Sequence, residues 1–219
     1  MSADTAGITV AVVAKECLPG KVKTRLTPAL TPEGAARVAA ASLADTLATV
    51  RALPAARRVL FFDGSSLPEG ALDLDGTGGF DVVHQTSGGL DERLGALFDA
   101  VDGPTLLVGM DTPQFGRADV APVFDDPSRD AWFGPAEDGG FWSLYLREPD
   151  GAYLRGVPMS REDTGAVQRA RLTDAGFDVG TLGVLLDVDT VPDAERVAAL
   201  VPDSRFAAAL HAETVGSLR

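Results

Sequence analysis

AKECLPGKVKTRL, residues 14–26, is the stretch from which the fold is read. It follows an apolar run, Ile8 to Val13, and precedes a long alanine-rich pattern that opens near Thr31. The setting is strand, loop, helix. A near-continuous apolar run suits a strand covered on both faces of a parallel sheet, and Pro19-Gly20 marks a turn beyond it. Lys15, Lys21, Lys23 and Arg25 then crowd the loop with positive charge. A loop leaving the first strand of an α/β sheet lies at the carboxyl edge, where such sheets bind ligands. Free backbone N–H groups with Lys and Arg side chains suit a phosphate or diphosphate.

Composition sharpens this reading. The chain has 19 basic residues, yet its three lysines all fall between Lys15 and Lys23, and every other cation is arginine. A coding bias toward arginine explains the scarcity of lysine but not its clustering. Lysine supplies a compact, flexible point charge where arginine supplies a planar fork. The alternative is a solvated basic loop. A net charge of −13 makes that less natural and argues against a nucleic-acid partner, which calls for a basic face.

The rest of the chain repeats the strand–helix alternation. Thr31, Pro32 and Glu33 supply a cap, a proline at the first helical position and an acid in the first turn, opening a helix to about Leu53. Strands are expected at Arg58–Phe62, Phe80–His84, Thr105–Val108, Ala131–Ala136, Gly140–Leu146 and Phe177–Leu186. Residues 63–79 read as an irregular loop. Helices are expected at Gly88–Val101, where Leu90, Leu94, Leu97, Phe98 and Val101 recur at helical spacing, after a capping box at Ser160–Asp163, and from Thr190 to Leu200. Asp203–Arg219 reads as a terminal helix with a frayed end. The expected architecture is a single domain over residues 1–219, its core at about 8–202. It is an α/β, mostly parallel open sheet flanked by helices.

Other features narrow the chemistry. No run approaches the roughly 18 apolar residues of a membrane span, and the N-terminus reads as a strand rather than a signal peptide. A single cysteine, Cys17, excludes an internal disulfide and fits a reducing cytoplasm. With one cysteine and two histidines, a metal must be held by carboxylates. Three candidates follow apolar strands: Asp111, Asp187 and Asp189. Facing a basic loop, they suit a nucleotide with Mg²⁺ or Mn²⁺, since such cations take one or two carboxylates plus phosphate oxygens and water. Asp189 could equally cap the following helix. In Glu137-Asp138-Gly139-Gly140, the paired glycines let backbone approach a ligand, and the acids could orient or deprotonate an acceptor. The plain alternative is a hairpin with a polar tip. Core packing is expected for one of Phe141 and Trp142, and a core or surface role for His84. Neighbouring cations could lower the pKa of Cys17, though no histidine partner makes it a nucleophile.

Four segments resemble a known family. AKECLPGKVKTRL is similar to a bacterial motif written AKxPxxGxVKTRL, and VGMDTPQ to a GSDCPDL-type segment. GPAEDGGFWSLYL resembles GPAEDGGYYLIGL, and LLDVDTVPDAERV resembles DVDTPEDL. Together they identify the chain as similar to glycosyltransferases of the nucleotide-diphospho-sugar transferase (GT-A type) fold. That group includes the arsenosugar-biosynthesis glycosyltransferase-like proteins, also called radical-SAM/selenodomain-associated transferase 1. More distantly, the chain is similar to 2-phospholactate and molybdopterin guanylyltransferases. The resemblance implies nucleotide and phosphate binding at Lys15, Gly20, Lys23, Arg25 and Leu26. It also implies a metal at Asp111, an acceptor-side loop at Asp138, Gly139 and Gly140, and a terminal motif at Asp187 and Asp189. Glu16-Cys17 replaces Ala-Pro, and Thr112 and Gln114 replace Cys and Asp. The expected reaction is transfer from a nucleotide-activated sugar to a small-molecule acceptor. Nucleotidylyl transfer from a nucleoside triphosphate and silent nucleotide binding are the alternatives.

Overall fold

In a computed structural model, which describes residues 7–68 and 79–216, one seven-stranded sheet runs through the chain. The elements are β1 (Thr9–Lys15), α1 (Pro32–Ala52), β2 (Arg57–Asp63), β3 (Asp81–His84), α2 (Leu90–Ala100), β4 (Thr105–Gly109) and α3 (Arg117–Asp125). They continue with β5 (Ala131–Pro135), β6 (Phe141–Leu146), α4 (Thr164–Asp174), β7 (Val179–Thr181), α5 (Val191–Leu200) and α6 (Arg205–Gly216). The sheet order is β3-β2-β1-β4-β6-β5-β7. Strands β1 to β4 pair in parallel, as does β5 with β7, while β6 runs antiparallel to both β4 and β5. The mostly parallel α/β sheet is thus present, with one reversed strand.

Alternation along β1 explains how both faces are covered. Val10, Val12 and Ala14 pack with Leu43, Leu47 and Val50 of α1 and Val120 and Val123 of α3. Ala11, on the opposite face, packs with Leu94, Leu97 and Phe98 of α2 and Leu172 of α4. Side chains of successive strand residues point to opposite faces, so an unbroken apolar run serves both layers. Truncating a buried leucine such as Leu47 to alanine should cost about 2–5 kcal/mol. A third cluster joins Leu26, Leu30, Val38 and Val188 to Val197 of α5 and Phe206 and Leu210 of α6.

Several expectations need adjustment. Helix α3 is an addition to the expected elements, masked in the sequence by Pro122, which lies inside it and removes one backbone donor. The late strand covers Val179–Thr181 rather than Phe177–Leu186. Gly180 lies under the Trp132 ring, where a Cβ would collide. Beyond it the chain follows β5 through separate bonds, Leu182 N–H to Phe133 O at 2.8 Å and Leu185 N–H to Pro135 O at 3.2 Å. The capping box at Ser160–Asp163 does not form. Ser160 is left-handed at φ 58°, and the Thr164 hydroxyl instead accepts from Arg161 N–H and donates to Pro158 O. Of the expected loop at 63–79, residues 69–78 lie outside the described residues, as do residues 217–219 of the expected tail. Among the described residues no helix is long and apolar enough to cross a membrane.

Candidate functional site

The loop after β1 is built by two short turns, Leu18 N–H to Glu16 O at 2.9 Å and Lys21 N–H to Leu18 O at 3.0 Å. Gly20 supplies the positive φ of 71° that this path requires, and it does not line either cavity described below. Val22 turns inward against Ala36 and Ala39 and pins the loop to α1. Lys23 then adopts φ 46° and ψ 40° before a 3-10 turn at Thr24–Leu26. Left-handed backbone is uncommon for a residue with a Cβ, and here it sends the side chain into the protein. The Lys23 ammonium lies 2.7 Å from Asp111 Oδ1 and 3.5 Å from Asp189 Oδ1, with 7% of the side chain exposed. Lys15 and Lys21 stay exposed. Arg25, 73% exposed, reaches Asp189 Oδ2 at 3.1 Å. Burial opposes the Lys23 charge, but Asp111, then Asp189 and Asp187, outweigh it and hold its pKa above the ordinary lysine value.

The carboxylates come from the loop just after β4 and from the segment between β7 and α5. Ser42 of α1 donates its hydroxyl to Met110 O at 2.8 Å, fixing the end of β4. Val188 N–H donates to Asp111 O at 2.9 Å, and the Gln114 amide donates to Leu186 O at 2.7 Å. These bonds bring Asp187 and Asp189 to Asp111. Gln114, which replaces an aspartate of the resembling motif, has a bracing role here. Asp189 is not the cap of α5: that cap is Thr190, whose side chain and N–H bond to Asp193.

Asp187 carries the clearest sign of an unmet partner. Its Oδ1 is buried with no hydrogen bond. Burial, then the charges of Asp111 and Asp138, push its pKa up to about 7, with Lys23 pulling the other way. Among the described residues no group of three or more metal-ligating side chains is arranged as a ready-made metal cage. An orphaned carboxylate oxygen beside Asp111 and Asp189 nevertheless fits a cation that takes two carboxylates and completes its shell with phosphate and water.

The acidic hairpin joins β5 to β6. Glu137 N–H donates to Leu185 O at 2.9 Å, while its carboxylate is engaged by Arg196 Nη2 at 3.0 and 3.1 Å. Asp138 accepts from Gly140 N–H at 2.9 Å and lines the site. Gly139, at φ 87°, is pressed against the backbone of Glu162, where any Cβ would collide. Gly165 N–H donates to Gly139 O at 2.8 Å. The glycine pair therefore brings the hairpin against the segment before α4, and Gly140 also lines a cavity.

Two cavities meet at these groups. The larger, about 1190 Å³, is lined by Lys15, Lys21, Lys23, Arg25, Asp111, Asp138, Asp189 and residues Ser160 to Asp163. The smaller, about 460 Å³, adds Asp187, Gln85, Leu90, Arg93, Phe141, Trp142 and Met159. Sequence reading missed two parts of this wall. In the sequence Ser160–Asp163 reads as a helix cap, whereas in the fold its packing at Gly139 brings it to the rim. Gln85 and Arg93 had no signal at all. The Gln85 amide donates to Ala14 O and Phe61 O, both at 2.9 Å, and accepts from Arg93 at 2.9 Å.

Other candidates are placed elsewhere. The Glu16 carboxylate faces the strand-β2 loop, accepting from Ser65 N–H at 2.9 Å, and that bond lowers its pKa. Burial pushes the Cys17 thiol up to about 11 despite Lys15 and Lys23, so the expected lowering is reversed. Trp142 is a core residue, its ring tilted against Phe115 and its indole N–H bonded to Gly183 O at 3.0 Å. His84 is exposed at the end of β3.

Comparison with known proteins follows the same lines. The profile of the family described as "Uncharacterized protein conserved in bacteria (DUF2064)" matches residues 46–161, more than half of the chain. No curated protein matches the chain. A crystal structure of a "putative nucleotide-diphospho-sugar transferase" from Desulfovibrio desulfuricans G20 superposes with a TM-score of 0.80. It is 24% identical and covers 93% of this chain and 94% of its own. Rv0371c of Mycobacterium tuberculosis H37Rv, solved as a complex with manganese, gives 0.53 at 24% identity, covering 87% and 97%. CMP:2-keto-3-deoxy-manno-octonic acid synthetase complexed with CTP gives 0.57 at 15% identity, covering 90% and 99%. At these identities the likeness establishes the nucleotide-diphospho-sugar transferase fold.

Proposed function

The chain belongs to the bacterial DUF2064 family, and from that premise we propose that it is a transferase acting on a nucleotide-activated donor. The preferred donor is a nucleotide-diphospho-sugar, and the acceptor is a small molecule. The observation that carries this reading is the large cleft at the carboxyl edge of the sheet, where Lys15, Lys21, Arg25 and Arg161 face Asp111, Asp138 and Asp189. In a chain of net charge −13 such a cluster of cations suits one polyanion. The likeness of the four motifs to the arsenosugar-biosynthesis glycosyltransferase-like proteins belongs to the same proposal. So does the manganese held by Rv0371c.

Each residue then has a task. Lys15, Lys21 and Arg25 bind the diphosphate and neutralise charge as the glycosidic bond breaks. Asp111, with Asp187 or Asp189, would hold Mg²⁺ or Mn²⁺, which supplies further neutralisation of the leaving diphosphate. Asp138 orients the acceptor hydroxyl and receives its proton as the new bond to the sugar forms. Glu137 is a poorer choice because Arg196 engages both its oxygens. The smaller cavity, walled by Leu90, Phe141 and Met159, offers an apolar surface beside these groups.

A thermal-shift panel tests the reading. UDP-, GDP-, CDP- and ADP-sugars are compared with the nucleoside triphosphates, each with and without Mn²⁺. A ligand at 100 times its dissociation constant should add about 2.7 kcal/mol. The expected result is Mn²⁺-dependent stabilisation by one diphospho-sugar above its triphosphate, followed by release of a nucleoside diphosphate on turnover. Preference for a triphosphate with release of pyrophosphate would replace it by nucleotidylyl transfer. No response to any nucleotide would remove it.

A further inference from the structure

Lys23 differs from the other cations of its loop. Lys15, Lys21 and Arg25 stand open to the cleft, whereas the Lys23 ammonium is enclosed between Asp111 and Asp189 at 2.7 and 3.5 Å. That position is the one a divalent cation would need in order to reach the same two carboxylates. We propose that Lys23 is a built-in counter-ion of the carboxylate site, which a divalent cation displaces, and that the displaced ammonium swings to the diphosphate side of the cleft. The inference rests on the reading of Asp111 as a cation ligand.

Three observations carry it. First, charge: a monovalent ammonium and a divalent cation cannot share these oxygens at such distances, since their repulsion in a half-buried site is large. Lys23 and Arg25 together also leave the cluster of Asp111, Asp187 and Asp189 undercompensated, and Asp187 Oδ1 stays buried without a partner. A stronger cation is therefore still attracted. Second, backbone: Lys23 is held at φ 46° and ψ 40°, a conformation that persists only when its surroundings enforce it. The ion pair is one such contact, beside the bond from Leu26 N–H to Lys23 O at 2.9 Å and the burial of Val22. Third, reach: Lys21, Thr24 and Arg25 line the same cleft on either side of Lys23. A flexible four-carbon stem can carry the ammonium from the carboxylates to that wall.

The device couples the two ligands. Cation binding frees a positive charge where the diphosphate binds, and diphosphate binding draws Lys23 off the carboxylates. Each ligand then raises the affinity for the other by the same factor.

The test uses the wild-type protein with Mn²⁺ alone. Lysines are acetylated briefly and quantified by mass spectrometry, with Lys15 and Lys21 as internal references and Mn²⁺ binding followed by the EPR signal of the free ion. The expected result is a rise of about fivefold or more in Lys23 labelling as the enclosed state gives way, with Lys15 and Lys21 unchanged. In parallel, Lys23→Met, checked for folding by circular dichroism, should bind Mn²⁺ about tenfold more tightly than wild type without nucleotide. Mn²⁺ binding with Lys23 labelling unchanged, or with equal or weaker affinity in Lys23→Met, overturns the displacement and leaves the cation site standing. Failure of both proteins to bind Mn²⁺ overturns the displacement and the cation site together.

Discussion

Val188 donates its N–H to the carbonyl oxygen of Asp111 at 2.9 Å. The bond ties the loop after β4 to the segment before α5 and sets Asp187 and Asp189 on either side of the joint. Gln114 reinforces it from the β4 side by donating to Leu186 O at 2.7 Å. The carboxylate cluster therefore depends on main-chain geometry as much as on its own side chains.

Gln114→Ala should loosen that joint. Leaving the Leu186 carbonyl without its donor costs about 1–3 kcal/mol, and Asp187 and Asp189 lose their alignment with Asp111. Urea unfolding should show the lower stability, and Mn²⁺ titration a weaker site. Unchanged values in both would mean that Gln114 has no bracing role.

Asp187 makes stability depend on pH. Its folded-state pKa is about 7 against an ordinary value of 3.8, so the native chain holds a proton that the unfolded chain releases. The resulting stabilisation is complete below about pH 4 and is lost as pH rises toward 7. Unfolding measured from pH 4.5 to 8 without divalent cations should show this decline in wild type. Asp187→Asn should flatten it, and an identical slope in the variant would assign the effect elsewhere.

Gly139 and Gly140 should respond differently to alanine. At Gly139 the positive φ and the Glu162 backbone both forbid a Cβ, whereas at Gly140 the nearest atom is the Asp138 carboxylate, at 3.1 Å. Gly139→Ala should cost about 1–3 kcal/mol or more, and Gly140→Ala less, as read by thermal unfolding. Equal losses would contradict the close approach described for Gly139.

Arg25→Ala separates binding from folding. The Arg25–Asp189 pair is largely exposed, and such pairs contribute about 0–1 kcal/mol. Its removal should leave the melting temperature almost unmoved while nucleotide binding weakens about tenfold, the loss of one charge-assisted contact. Calorimetric titration with the best nucleotide from the panel decides.

Asp138→Asn and Glu137→Gln form a matched pair. If Asp138 receives the acceptor proton, its amide should lower kcat about a hundredfold or more. Glu137→Gln, which disturbs an exposed contact with Arg196, should leave kcat nearly intact. The reverse order would reassign the base.

Much of this was legible because local and global signals agree. The apolar run of β1, the Thr31 cap and the strand leading to Asp111 each have one physical reading. The reversal of β6 was not legible, since a continuous apolar strand looks the same in either direction. Helix α3 was hidden by Pro122. At the site, the carboxylates and the basic loop named from the sequence meet at one cleft, but nothing in the spacing says that Lys23 turns inward while Lys21 stays out. That outcome depends on one left-handed residue and on carboxylates far along the chain. The rim at Ser160 and Arg161 was equally hidden, because it reaches the cleft through packing at Gly139 rather than through any local pattern.

The third core cluster has a bearing on the site that its small size conceals. Leu26 sits one residue beyond Arg25, and Val188 lies between Asp187 and Asp189, yet both are buried against Phe206 and Leu210 of the last helix. Helix α6 is also fastened to α1 by the Arg37–Glu213 ion pair at 2.6 Å. The cationic loop and the terminal carboxylates thus share one foundation, poured by residues that do not line the cleft. A chain cut short before Arg205 would keep every group of the cleft and lose the footing that keeps them in register.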